Sequence, residues 1–191
     1  DAGWVTIRIV DSNDAPVLST APVLLLENSA IGVESSTFVG AFDEDGVDDT
    51  LTFSLAAASP HFDISSGGAL IPKVSINFET TKELFVIVRV TDNGGRYGEF
   101  SPLSTIANIT VVIEDVDEPP VANRTLFSVA ENLVAGTSVG FIGATDPEGT
   151  AVTYTLDRTQ LSGGLFTVDA ATGEIKTATM LDFEQTTFHT F

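Results

Sequence analysis

From Leu84 to Thr91 every second residue is apolar and strand-forming. Val86, Val88 and Val90 fall on one side, with Ile87 and Arg89 on the other. The stretch 105–114 repeats the device, with Ile109, Val111 and Ile113 on one side and Asn108, Thr110 and Val112 on the other. Period-two alternation over such lengths predicts half-buried β-strands. Shorter runs with the same character lie near 21–27, 37–42, 50–56, 61–64 and 69–76, separated by clusters of Gly, Pro, Asp and Ser. No stretch sustains a helical period. About seven short strands in roughly 100 residues predict an all-β, two-sheet sandwich stabilised by inward Val, Ile, Leu and Phe.

The pattern then repeats. LeuLeuGluAsn at 25–28 matches ValAlaGluAsn at 129–132, AlaPheAspGluAspGly at 41–46 matches AlaThrAspProGluGly at 144–149, and LeuThrPheSerLeu at 51–55 matches ValThrTyrThrLeu at 152–156. PheAspIle at 62–64 and AsnPheGlu at 77–79 return as PheThrVal at 166–168 and AspPheGlu at 182–184. Ordered recurrence of this kind marks tandem structural units. TrpValThrIleArgIleVal at 4–10 lies over AsnIleThrValValIleGlu at 108–114, the tail of the same unit. The expected organisation is therefore residues 1–11 as the last strand of a preceding repeat, 12–115 as a complete repeat, and 116–191 as a repeat short of its final two strands. The chain opens in what reads as mid-strand with no basic and apolar leader, so a segment of a longer protein is expected.

Composition narrows the chemistry. With 27 acidic residues against 8 basic ones, the formal charge of -19 repels nucleic acid and anionic membrane surfaces and favours cations. Apolar residues make up 43% of the chain, enough for the charge to sit on a folded frame. There is no Cys, so disulfides and thiolate metal sites are excluded. The longest apolar stretch, residues 21–26, is far shorter than the ~20 residues of a membrane span.

The acids recur in register. They follow the first strand of each unit (Glu27, Glu131), occupy the loop after the second (Asp43 and Asp45; Asp146 and Glu148), precede the penultimate strand (Glu79; Asp182 and Glu184), follow it (Asp92), and fill the linkers. Strand ends in a sandwich gather at its poles, so these loops should converge where units join. Many oxygens at one place suit Ca²⁺, which takes six to eight with tolerant geometry.

LeuGluAsn, AspGluAspGly, AsnPheGlu, ThrAspAsnGly and AspSerAsnAspAlaPro together resemble the calcium motifs of cadherin repeats, over the whole chain. The style, free of Cys and rich in Thr and Gly, resembles the cadherin-like repeats of large bacterial and unicellular-eukaryote adhesins more than vertebrate forms. The resemblance implies tandem seven-stranded Greek-key (immunoglobulin-like) sandwiches of cadherin type with Ca²⁺ at each linker. It implies that the first linker supplies Asp11, Asn13 and Asp14, with Asp43, Asp45 and Asp92 below and backbone oxygens near Ala15 and Asp48. The second linker would use Glu27, Asn77 and Glu79 above, Asp115, Asp117 and Glu118 within, and Asp146 and Glu148 below. Asn77 stands where the family has Asp, and Glu118 and Glu148 are one methylene longer than the usual Asp.

The expected function is a calcium-binding, extracellular or cell-surface adhesion and structural module, part of a long tandem-repeat adhesin or filament. Its partners would be neighbouring repeats, other copies of itself or cell-surface proteins. An alternative is a carbohydrate-binding accessory module of a secreted polysaccharide-active protein, for which outward aromatics such as Tyr97, Phe100 and Phe127 are too scattered to form a row. His61 and His189 are not spaced for zinc, no nucleophile or phosphate-binding motif is present, and no enzymatic activity is expected. AsnIleThr at 108–110 and AsnArgThr at 123–125 are N-glycosylation sequons, with Asn108 on the predicted solvent face.

Overall fold

The computed structural model describes residues 3–10, 12–46, 49–94, 100–123, 125–156 and 164–190. Asp11, Asp48 and Tyr97 lie outside the described residues. The chain divides into two compact units, Asp1–Val116 and Asp117–Phe191.

In the first unit the strands are β1 (Val17–Leu18), β2 (Val23–Leu26), β3 (Ala41–Phe42), β4 (Thr52–Leu55), β5 (Phe62–Ile64), β6 (Leu70–Pro72), β7 (Glu83–Thr91) and β8 (Ser104–Glu114). A four-stranded sheet runs β2-β8-β7-β4, and two short antiparallel pairs, β1-β3 and β5-β6, complete the unit with a bridge between Phe38 and Ala69. β7 and β8 are antiparallel from Glu83↔Val112 to Thr91↔Ser104, whereas β2 runs parallel to β8. The chain therefore changes sheets between β1 and β2, after Ser19 N makes the last bond of the first pair, to Gly40 O at 2.8 Å.

The core follows the alternation. Val86, Val88 and Val90 meet Ile109, Val111 and Ile113 inside, with Phe62, Leu70, Leu18, Val23 and Leu25. Burying one face of each strand in this way removes several hundred Å² of apolar surface from water and holds the sheets together, at about 25 cal/mol per Å². β1 was not expected as a separate element; its two residues become a strand only through the pairs Val17↔Phe42 and Leu18↔Ala41.

The second unit contains β9 (Val121–Ala122), β10 (Ser138–Phe141), β11 (Ala144–Thr145), β12 (Phe166–Val168) and β13 (Glu174–Thr177), in sheets β10-β13-β12 and β9-β11. Phe166 and Ile175 are its buried apolar residues among those described. The sequence repeat reappears as a repeat of hydrogen bonds. Asn28 N donates to Ile76 O, and Asn132 N to Leu181 O, both at 3.1 Å. Val39 N donates to Gly68 O and Ile142 N to Gly173 O, both at 2.9 Å. These two glycines hold positive φ, and a Cβ at Gly173 would stand 2.6 Å from Ile142 O.

The counterpart of β4, residues 152–156, joins no ladder. In the first unit β4 pairs with β7. Tyr154 N nevertheless donates to Ala170 O at 2.9 Å, as Phe53 N of β4 does to Ser66 O at 3.0 Å. Residues 3–10, also patterned as a strand, join no ladder either, and Trp4, Val5, Ile7 and Ile9 are exposed.

Candidate metal centre

At one pole of the first unit, three loops converge. Asp92 follows the last rung of the β7–β8 ladder and is buried; its Oδ1 accepts from Gly94 N at 2.8 Å, and both of its carboxylate oxygens lie 3.0 Å from Leu103 N. Asp43 lies in the loop after β3, which Gly46 turns back with positive φ, and Asp49 N donates to Gly46 O at 3.2 Å. The turn brings Asp49 beside Asp43. One carboxylate oxygen from each of Asp43, Asp49 and Asp92 lies within 4.8 Å of the other two.

The linker closes over this group. Asn13 Nδ2 donates to Asp92 Oδ2 and to Ser101 O, both at 3.3 Å, and Asp14 N donates to Asp45 Oδ2 at 2.8 Å. Asp45 N in turn donates to Asp43 Oδ1 at 3.1 Å. Asn13 Oδ1, Asp43 Oδ2 and Asp49 Oδ2 are buried atoms with no hydrogen-bond partner among the described residues. Buried acceptors are rarely left in this state, since each costs about 1–3 kcal/mol. Loss of hydration pushes the Asp43 carboxyl above its ordinary range; a hydrogen bond from Asp45 opposes this, while the charges of Asp49, Asp45 and Asp92 push further upward. Three partnerless buried oxygens in an acidic, all-oxygen setting fit a hard divalent cation.

The opposite pole of the first unit carries a second group. Glu27, at the end of β2, is 2% exposed. Its Oε2 accepts from Phe78 N at 2.8 Å and its Oε1 from Val116 N at 2.9 Å, while its own N donates to Glu114 O at 3.0 Å. Carboxylate oxygens of Glu27, Glu79 and Asp115 lie within 4.8 Å of one another. Asn77 turns elsewhere: its Oδ1 accepts from Thr80 N at 3.0 Å and caps the turn.

In the second unit Glu118 N donates to Glu148 Oε1 at 3.2 Å, and Glu148 Oε2 is buried with no partner among the described residues. At Asp146 loss of hydration is outweighed by hydrogen bonds from Thr150 and Glu148, and the carboxyl sits low. Glu148 is pushed up, first by loss of hydration and also by the Asp146 carboxyl. Glu131, Asp182 and Glu184 form a further group within 4.8 Å, and Glu131 Oε2 accepts from Phe183 N at 2.9 Å. The side chains of Asp14 and Asp117 are exposed and belong to none of these groups within a unit.

Asp49 was missed in the sequence. The signal was there: the loop after residue 46 is two residues longer than its counterpart after 149, and the added length is acidic. The grouping of Glu131 with Asp182 and Glu184 was implicit in the repeat, although these three were not named as site residues.

Comparison with known proteins agrees with this architecture. A family model described as a cadherin domain matches residues 125–191. Cadherin-20 of Xenopus laevis is 29% identical over 212 residues, spanning 98% of this chain and 26% of the relative. Cadherin-7 of Rattus norvegicus is 30% identical over 208 residues, spanning 97% and 26%. The chain thus spans about a quarter of the length of the curated relatives it matches. Crystal structures of human protocadherin-24 EC1-2 (TM-score 0.59, 24% identity, 90% of this chain and 81% of that one) and mouse cadherin-23 EC22-24 (TM-score 0.55, 24% identity, 92% and 57%) share the fold. With a cadherin-domain model matching residues 125–191, relatives that match along nearly its whole length and a shared fold, the chain belongs to the cadherin-repeat family.

Proposed function

We propose that the chain is an extracellular adhesion and structural module whose inter-repeat linkers bind calcium. The observation that carries the reading is the set of buried oxygens on Asn13, Asp43 and Asp49, without partners beside the buried Asp92 carboxylate. Asp11 of the linker and Asp45 would complete the set on this side of the joint. Around the second linker, Glu27, Glu79 and Asp115 would form one set of ligands, and Asp117, Glu118, Asp146 and Glu148 would add to it. Asn77, whose oxygen caps a turn and carries no charge, would contribute least.

Residues 12–115 act in this reading as one complete repeat. Without metal the clustered carboxylates repel; shared ligation would turn that repulsion into attraction and stiffen the joints. Neighbouring repeats and other copies of the chain are the partners proposed. A structural relative 20% identical with a TM-score of 0.52, protocadherin gammaB7 EC3-6, was solved as a cis-dimer. As a cadherin-repeat protein the chain is not an enzyme. Among the described residues no helix is long and apolar enough to cross a membrane.

Calorimetric titration with calcium, coupled to small-angle scattering before and after, tests the reading. Binding of several ions with a longer, stiffer particle supports it. No binding at millimolar calcium, with an unchanged particle, would overturn the calcium joint.

A further inference from the structure

The outer face of the four-stranded sheet is unusually apolar for a surface open to water. On β7, Phe85 is 58% exposed and Ile87 43%; on β8, Ile106 is 48% exposed. In the midst of these residues stands Asn108, exposed on β8 and directly across from Ile87, with Ile106 and Thr110 two positions away on the same strand face. Phe85 pairs with Thr110 and Arg89 with Ile106, so this patch has one amide at its centre. The Asn108 side chain makes no hydrogen bond to another described residue.

Asn108-Ile109-Thr110 satisfies the Asn-x-Thr rule for N-glycosylation, and period-two alternation puts both its Asn and its Thr on that outer face while Ile109 is buried in the core. A protein partner docking flat on the patch would desolvate the Asn108 amide and the Arg89 guanidinium and would have to supply polar groups to match both. A glycan avoids this cost, because sugars offer hydroxyls to the polar groups and C–H faces to Phe85 and Ile87.

We infer that Asn108 is an N-glycosylation site whose glycan covers the apolar outer face of the β2-β8-β7-β4 sheet. The inference rests on the extracellular reading above, since the modification needs the secretory pathway. In the transfer, Asn108 Nδ2 loses one proton and bonds to the anomeric carbon of an oligosaccharide. The bond from that carbon to a lipid pyrophosphate carrier breaks, and the lipid pyrophosphate leaves. The face would then be unavailable for flat sheet-to-protein contact, leaving adhesion to other surfaces.

The test is secretion of the whole chain behind a signal peptide from eukaryotic cells, followed by peptide-N-glycosidase treatment in heavy-oxygen water and peptide mass mapping. The expected result is conversion of Asn108 to labelled Asp. Asn108→Gln and, as a variant that leaves the amide in place, Thr110→Ala should each lose one glycan mass, while Thr110→Ser retains it. Either glycan-free variant should also bind an apolar-surface dye more strongly than the glycosylated chain. Secreted, folded protein with unmodified Asn108 overturns the site, and doing so with Asn123 occupied shows that the secretory route itself was sound. Modified Asn108 with dye binding equal in all forms overturns the covering role. The calcium reading is decided separately, by titration of the same secreted protein.

Discussion

Asp43 and Asp49, six positions apart on one loop, bring carboxylate oxygens within 4.8 Å of each other against the buried Asp92. Like charges at this separation oppose folding unless something neutral or positive lies between them. The fold holds them there through the Gly46 turn and through Asp92, which is tied to the Gly94 and Leu103 amides. Repulsion in the metal-free protein and the proposed affinity for a cation therefore rest on one geometry.

Asp49→Asn removes a charge while keeping the shape. With calcium chelated, the first unit should become more stable in chemical denaturation, because a repulsive neighbour of Asp43 is gone. Calcium affinity of the same site should fall roughly tenfold, about 1.4 kcal/mol. Unchanged affinity by calorimetry would remove Asp49 from the ligand set.

The pH dependence should reverse with metal. The Asp43 carboxyl is raised in the folded protein, by lost hydration first and by its acidic neighbours as well. The folded state thus binds this proton more readily than the unfolded state. In chelator, the first unit should gain stability as pH falls through the raised value, levelling off below the ordinary 3.8. With calcium bound the carboxylates must stay ionised, and stability should fall over the same range. Amide exchange at Val88 and Val90 isolates the first unit from Asp169 of the second, whose carboxyl is lowered by backbone and hydroxyl hydrogen bonds from Thr172 and so acts in the opposite sense. Parallel slopes with and without calcium would contradict the prediction.

Glu27 and Glu131 are equivalent in the repeat but not in what they hold. Glu27 accepts from Phe78 N and Val116 N and is buried, whereas Glu131 accepts from Phe183 N and is half-buried. Glu27→Ala should cost about 3 kcal/mol or more, since it leaves two backbone donors without their acceptor, and Glu131→Ala about 1 kcal/mol. Equal losses in denaturant titrations would mean that burial at Glu27 carries no energetic weight.

Much of this was legible before any coordinates, for reasons that differ from element to element. β7 and β8 announce themselves because their alternating Val and Ile residues meet a sheet on one face and water on the other. The acids Glu27, Asp43 and Asp92, which the fold gathers into carboxylate clusters, stand out in the sequence because they recur in register or follow long strands. β1 was hidden because two residues have no period, and only pairing with β3 makes them a strand. Asp49 was hidden because its role depends on how the loop turns at Gly46. The segment 152–156 reads like β4 yet joins no ladder among the described residues, since strand pattern specifies a face and not a neighbour.

Asn28 and Asn132 offer a last test, one that links the backbone to the metal site. Both residues follow the ligand-like Glu and hold left-handed φ, 53° and 59°. Each donates its backbone N at 3.1 Å to the opposite loop, Asn28 to Ile76 O and Asn132 to Leu181 O. The left-handed turn swings the chain off β2 immediately after Glu27, whose carboxylate receives the Phe78 amide two residues beyond Ile76. Asn tolerates this conformation better than most residues, and Gly better still. Asn28→Gly should therefore leave stability nearly unchanged, while Asn28→Ala should cost about 1 kcal/mol and a β-branched Asn28→Val more. If the turn also positions Glu27, Asn28→Val should weaken calcium binding at the second linker and leave the Asp43 site untouched. Calorimetry on variants that lack the Asp43 site separates the two. Equal stability of the Gly, Ala and Val variants would show that the left-handed turn imposes no constraint there.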